Sequence, residues 1–271
     1  MNLPASQRAF VRRSPWQIQR AVVFALMMRE LKTRFEGRWT GVLWLFGQPM
    51  AELLMFLWMN TVLRGRINRE GYDFIVFLLA GLVGWRLFRM LWQRLSHGVN
   101  SNKGLFGFRQ VKPMDTFIAR ACLEVVLELS TFVLIALVLA RLGYSPLVPV
   151  DPLAWLAVIG MLVLLGIGLG ICFAVLIDVA PRVDNLIHIL SMPLMILSGV
   201  IFHMNRLPAD IMAMLQYNPL LHLIELARVA YLPGYIPMQG INATYPAVFT
   251  LCTLTLAMVL YRWRRQQLIA S

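Results

Sequence analysis

Residues 153–177 run for twenty-five positions without one charged side chain. About 20 apolar residues in a helix cross the hydrocarbon of a bilayer, and only a helix or a closed barrel satisfies its backbone there. Further long apolar runs follow the same pattern, and together they set the class. The 271 residues are 59% hydrophobic and only 14% charged, with a mean hydropathy of +0.68, as expected for a chain solvated mainly by lipid. The pattern predicts an all-α, polytopic membrane protein.

The first spanning segment is placed at 40–63, carrying Pro49 and the carboxylate of Glu52, and the second at 74–92, carrying Arg86 and Arg89 one turn apart. A third at 115–142 holds Glu124 and Glu128 at i, i+4 and ends before Pro146, Pro149 and Pro152. The fourth is the run at 153–177, where Gly166 and Gly170 make a GxxxG packing face; no strand and no Gly-Lys accompany them, so a phosphate loop is set aside. The fifth is placed at 186–202 and the sixth at 245–261, closed by the basic and aromatic stop from Arg262 to Arg265. Before the first span, 15–35 reads as an amphipathic helix whose apolar centre is too short to cross, so it is expected to lie in the interface. Between the last two spans, Asn218 and Pro219 separate two apolar stretches that are also too short, and short re-entrant or interfacial helices are expected over 205–234. The N-terminus lacks signal-peptide order and is expected to stay on the mature chain. The resulting division is an arm and interfacial helix at 1–38 and a six-helix transmembrane domain at 39–271, with a polar, Gly-punctuated loop at 97–115.

Six spans put both ends on one side. Seventeen Lys or Arg fall on the side of the termini and six on the other, so the positive-inside rule predicts cytoplasmic termini, with 64–73 and 205–234 outside. The net charge of +12 is then mostly topology, and no nucleic-acid partner is needed to explain it.

The candidates for chemistry are few. Cys122, Cys172 and Cys252 stand singly in apolar runs and are read as small buried hydrophobes. His97, His188, His203 and His222 are scattered over different segments, no HExxH or GxSxG occurs, and no metal ligand set is read. None of Lys32, Lys103 and Lys112 follows a glycine, so a Walker A loop is absent and any ATP is bound by another chain. Intramembrane charge is costly and marks function, which singles out Glu52, Arg86, Arg89, Glu124 and Glu128. Two readings stand for the arginines: an ion pair for Arg86 with headgroup snorkelling for Arg89, or a polar cavity that receives the oxyanions of an acidic substrate. Trp44, Trp85 and Phe88 are read first as packing and interfacial residues and second as lining of that path.

Several stretches resemble a known family. RELKTRF at 29–35, GVLW at 41–44 and Pro49 look like the amino-terminal signature of ABC-2-type permeases. NKGLFGFRQVKPMDT at 102–116, IARA at 118–121, NPLLH at 218–222, Glu225-Leu226 and LPGY at 232–235 closely resemble the KpsM-type capsular polysaccharide exporters. The resemblance implies a type V exporter-like permease without catalytic residues, homodimeric in the bacterial inner membrane. It implies a separate ABC ATPase that carries the ATP and magnesium, a periplasmic polysaccharide co-polymerase and an outer-membrane export channel as partners, and a lipid-linked capsular glycan as substrate. The loop at 97–115 is then expected to couple to the ATPase through Lys103, Phe106, Phe108 and Arg109, aromatic anchors rimmed by cations. The resemblance assigns no role to Glu52, Arg86 and Arg89, which are placed on the substrate path with Trp44, Trp85 and Phe88.

Three alternatives remain beside it. An O-antigen or teichoic-acid permease would share the architecture. A membrane-embedded transferase acting on lipid-linked sugars would use Glu124 or Glu128 as a base and work without ATP. A secondary transporter would repeat its broken helices in both halves, whereas only the C-terminal half shows them.

Overall fold

The computed structural model describes residues 14–35, 39–64, 73–108, 110–144 and 148–270, and these contain helices and no strand. The helices are α1 (Pro15–Phe35), α2 (Trp39–Arg64), α3 (Phe74–Ser96), α4 (Pro113–Arg141), α5 (Pro152–Val179), α6 (Asp184–Leu197), α7 (Ala209–Leu215), α8 (Pro219–Tyr231) and α9 (Thr244–Ala270). A 3-10 helix, Asn100–Leu105, lies between α3 and α4. Most of the loop expected at 64–73, and Arg109, fall outside the described residues.

Among the described residues four helices, α3, α4, α5 and α9, are long and apolar enough to cross a membrane. The first expected span is a single helix, α2, whose apolar stretch Leu43–Met59 is shorter. The fifth differs more. Expected at 186–202, it stops as α6 at Leu197, because Ser198 and Gly199 turn the chain, the latter at φ +70°. Its 14 residues rise only about 21 Å against roughly 30 Å of hydrocarbon. The short helices expected after it are present as α7 and α8, the latter started by Pro219 and by Asn218, whose side chain accepts from the Leu220 backbone N–H.

Helix α3 is the axis of the fold, buried from Ile75 to Phe88 without a break. Helix α5 approaches it closely because glycines face it: a Cβ at Gly166 would stand 2.9 Å from Leu91 Cβ, and one at Gly170 would stand 2.6 Å from Leu95 Cβ. Gly168 faces the other way, toward Thr253 of α9. The glycines therefore seat α5 between two neighbours at backbone distance, as small residues do where lipid supplies no hydrophobic drive for association. Of the three cysteines only Cys172 is buried; Cys122 and Cys252 lie on outward faces of α4 and α9.

Helix α8 packs against α3 and α5 and encloses an ion pair. Arg228 Nη1 lies 3.2 Å from Glu225 Oε1, one turn earlier on the helix. Its two Nη groups also donate to the carbonyls of Gly199 and Val200 at 2.7 and 2.6 Å. Its guanidinium lies 3.7 Å over the Phe77 ring of α3. Glu225 accepts in turn from Tyr235 Oη and the Met238 N–H. The pair thus joins α8 to the turn after α6 and to the loop before α9, and nearly every polar atom in it has a partner, as burial demands.

Candidate functional site

The helix period places Arg120, Glu124 and Glu128 on one face of α4, at i, i+4 and i+8, and that face meets arginines and glutamates from three other helices. At one end, Arg120 Nη2 lies 2.6 Å from Glu30 of α1, and Arg120 Nη1 donates to the carbonyl of Arg94 on α3. One turn on, Glu124 accepts from Arg34 of α1 at 2.9 Å and lies 3.6 Å from Arg94. One turn further, Glu128 receives a two-pronged contact from Arg86 of α3, Nε to Oε2 at 3.1 Å and Nη2 to Oε1 at 3.2 Å. The third edge of Arg86 reaches Glu52 of α2 at 2.9 Å, and Glu52 also accepts from Arg89 and Gln48, each at 3.2 Å. The result is a ladder of charges from α1 to the interior of the helix bundle, joining α1, α2, α3 and α4.

Arg86 is only 6% exposed and Glu128 4%. An unpaired charge there would be prohibitive, and the planar guanidinium meets two carboxylates through all three of its nitrogens. Of the two readings drawn from sequence, this geometry has the ion pair. The space beside it is a cavity of about 20 Å³ walled by Pro49, Leu53, Leu82, Val83 and Phe132, with Arg86 and Glu128 at its polar end; it has room for about one water.

The other expected path residues separate. Trp85 and Phe88 lie in the core, 1% and 0% exposed, because α3 is enclosed there and positions 85 and 88 turn away from the cluster toward its packed neighbours. Phe88 continues an aromatic run with Trp85 on one side and Trp92 on the other. Trp44 instead stands on the outer face of α2, 71% exposed. The fold brings Glu52, Arg86 and Arg89 together and leaves the three aromatics elsewhere.

The expected coupling residues separate as well. Phe106 turns inward and is buried in the core, whereas Phe108 points out and is 64% exposed. Lys103 lies 3.8 Å from Asp178 at the end of α5, and Asp178 also lies 3.7 Å from Arg264 of α9. The segment is gripped from below by α1: Arg29 donates to Asn102 Oδ1 at 2.6 Å, and Asn102 is hydrogen-bonded to Glu30 and to the Gly98 carbonyl. Glu30 therefore belongs both to this grip and to the first rung of the ladder.

Sequence reasoning missed the α1 side of the ladder, Glu30 and Arg34, and missed Glu225 with Arg228. Glu30 and Arg34 were legible at i, i+4, the spacing that their two rungs on α4 share. Glu225 and Arg228 were legible at i, i+3 in a stretch otherwise apolar.

Comparisons with known proteins follow the same outline. The family described as ABC-2 type transporter matches residues 21–232. The polysialic acid transport protein KpsM of Escherichia coli is 35% identical over 266 residues, 96% of this chain and 99% of that protein. The capsule polysaccharide export inner-membrane protein CtrC of Neisseria meningitidis serogroup B is 28% identical over 93% of this chain and 94% of its own length. The capsule polysaccharide export inner-membrane protein BexB of Haemophilus influenzae is 25% identical over 90% of this chain and 89% of its own length. With the family match running from within α1 to the end of α8, and with relatives collinear over nearly the entire sequence, the chain belongs to the ABC-2 type transporter family.

Proposed function

We propose that the chain is the permease subunit of an ATP-driven exporter that moves lipid-linked capsular polysaccharide outward across the bacterial inner membrane. In this reading two copies work with two copies of a separate ABC ATPase, both termini are cytoplasmic, and a periplasmic co-polymerase and an outer-membrane channel receive the glycan. The names of the relatives, polysialic acid transport and capsule polysaccharide export, support the substrate class. A transferase is less well supported, because Glu124 and Glu128, the bases it would need, are committed to Arg34 and Arg86.

The observation that carries the mechanism is the unbroken path from the 100–108 segment through Asn102, Arg29 and Glu30 of α1, up α4, to Arg86 and Glu52. Ion pairs in a low-dielectric interior are stiff, since parting them leaves charges unanswered. A push on the loop is therefore carried to α2 and α3 rather than absorbed. Phe108 is the exposed anchor that the ATPase grips, and Phe106 is the buried anchor that holds the loop to the bundle. On the substrate side, Arg89, 20% exposed at its side chain and bound to Glu52 alone among the carboxylates described, is the arginine placed to meet an acidic headgroup.

Co-purification with the ATPase tests this. Phe108→Ala is expected to weaken capture of the ATPase by about 2 kcal/mol, ~30-fold, as for an interface hot spot, with the permease still at normal level. Phe106→Ala is expected instead to lower permease stability by about 3–5 kcal/mol. Unchanged ATPase capture and export in Phe108→Ala would remove the loop from the coupling path.

A further inference from the structure

His97 and His188 are far apart in the chain, but the fold sets both against one carboxylate. His97 caps the C-terminal end of α3, Asp184 opens α6, and His188 follows Asp184 by one helical turn, on the same face. One ligand atom from each of the three lies within 4.8 Å of the others. The His97 Nε2 to Asp184 Oδ1 distance is 3.2 Å. In a tetrahedral site with metal–ligand bonds of about 2.0–2.2 Å, neighbouring donor atoms stand roughly 3.3–3.6 Å apart. One edge is thus already near ligand spacing, and the other two, within 4.8 Å, need His188, an exposed side chain, to move by about an ångström.

A second observation points the same way. Asp184 Oδ1 is enclosed, yet it accepts no hydrogen bond; the nearby His97 nitrogen is close but not aligned to donate. An enclosed carboxylate oxygen without a donor is costly and calls for a cation or an ordered water. A simple His97–Asp184 ion pair leaves that oxygen unbonded and gives His188 no part. The side chains of His97 and Asp184 are 38% and 36% exposed, so an ion has a way in.

We propose that His97, Asp184 and His188 bind one divalent transition-metal ion per chain, of the zinc, cobalt or nickel class. Two imidazoles and one carboxylate suit these metals, whereas calcium and magnesium prefer all-oxygen shells. Three protein ligands leave a fourth position for water. The ion ties the end of α3 to the start of α6, which a hydrogen bond from Gln93 to Ser191 Oγ, 3.2 Å, also joins.

The test uses the full-length permease, purified in detergent on a tag free of histidine, stripped with a chelator and titrated with cobalt(II). The wild type is expected to take up one ion per chain with the visible band of tetrahedral cobalt, and zinc is expected to compete for it and to raise the melting temperature. His188→Gln, at an exposed position where folding is not at stake, is expected to weaken binding by more than about tenfold, a loss that even a residue supporting a ligand produces. His97→Gln and Asp184→Asn are expected to do the same, and zinc is expected to raise the melting temperature of all three less than that of the wild type. A wild type that binds no cobalt, or equal binding and equal zinc stabilisation in His188→Gln and in the double variant with His97→Gln, overturns the proposal.

Discussion

A guanidinium enclosed in an apolar bundle is stable only while carboxylates surround it, and Arg86 has two, Glu128 and Glu52. Removing it leaves Glu128 buried without its partner, while Glu52, 23% exposed at its side chain, keeps Arg89, and breaking a buried pair from one side costs about 3–5 kcal/mol. Arg86→Ala is therefore expected to lower the melting temperature and the steady-state level of the permease, and Glu128→Gln to do so less. Arg86→Lys, which keeps the charge and loses the fork, is expected to fall between wild type and Arg86→Ala. A normal melting temperature in Arg86→Ala would show that the pair does not hold the bundle. At this scale the sequence was legible in part. Charges stand out in apolar runs, so Glu52, Arg86, Arg89, Glu124 and Glu128 were all singled out, but partner choice depends on how helices cross. Nothing in the spacing says that Glu128 takes Arg86 while Glu124 takes Arg34 and Arg94. The same limit applies to Phe106 and Phe108, two residues apart with opposite fates, because the 3-10 helix before them sets which one turns inward.

Among the elements, α5 tests the packing argument most directly. Gly170→Ala places a methyl group against Leu95 Cβ at 2.6 Å, and neither atom belongs to a flexible end, so α3 and α5 have to part. A loss of about 1–3 kcal/mol is expected, read as a lower melting temperature. Gly160→Ala, on the same helix with nothing within 4 Å of the added Cβ, is expected to be neutral or to stabilise by about 0.4–1 kcal/mol through helix propensity and a stiffer unfolded chain. Equal effects at the two sites would mean that the glycines do not set the helix spacing. Here the sequence was read well, since GxxxG has one dominant use in a membrane. The fifth span was read less well: apolar character continues from 186 to 202, and composition does not reveal that Gly199 adopts a left-handed turn and that α8 then occupies the space beside α3.

For the whole molecule, the expected arrangement has both ends in the cytoplasm. A cysteine placed at Gln266, near the end of α9, is expected to react with a membrane-impermeant reagent only after lysis, and one placed at Gly234, after α8, to react in intact cells once the outer membrane is permeabilised. The reverse pattern would invert the positive-inside assignment. Class, helix order and the short helices before α9 were all legible, because hydropathy and length report directly on the bilayer. How the four charged helices share their ions was not, because it exists only in the assembled bundle.

That shared cluster also bears on how the chain is made. Glu52 is synthesised first, in α2, and α3 brings Arg86 and Arg89 to face it, with Arg94 a turn beyond, so at the cluster itself one acid meets two bases. The imbalance lasts until α4 delivers Glu128. Until then Glu52 is the carboxylate available to Arg86 and Arg89 from the preceding helix. Glu52→Gln should therefore show its defect before folding is complete, as nascent chains in which α3 fails to integrate, while Glu128→Gln chains integrate α3 normally and fail later.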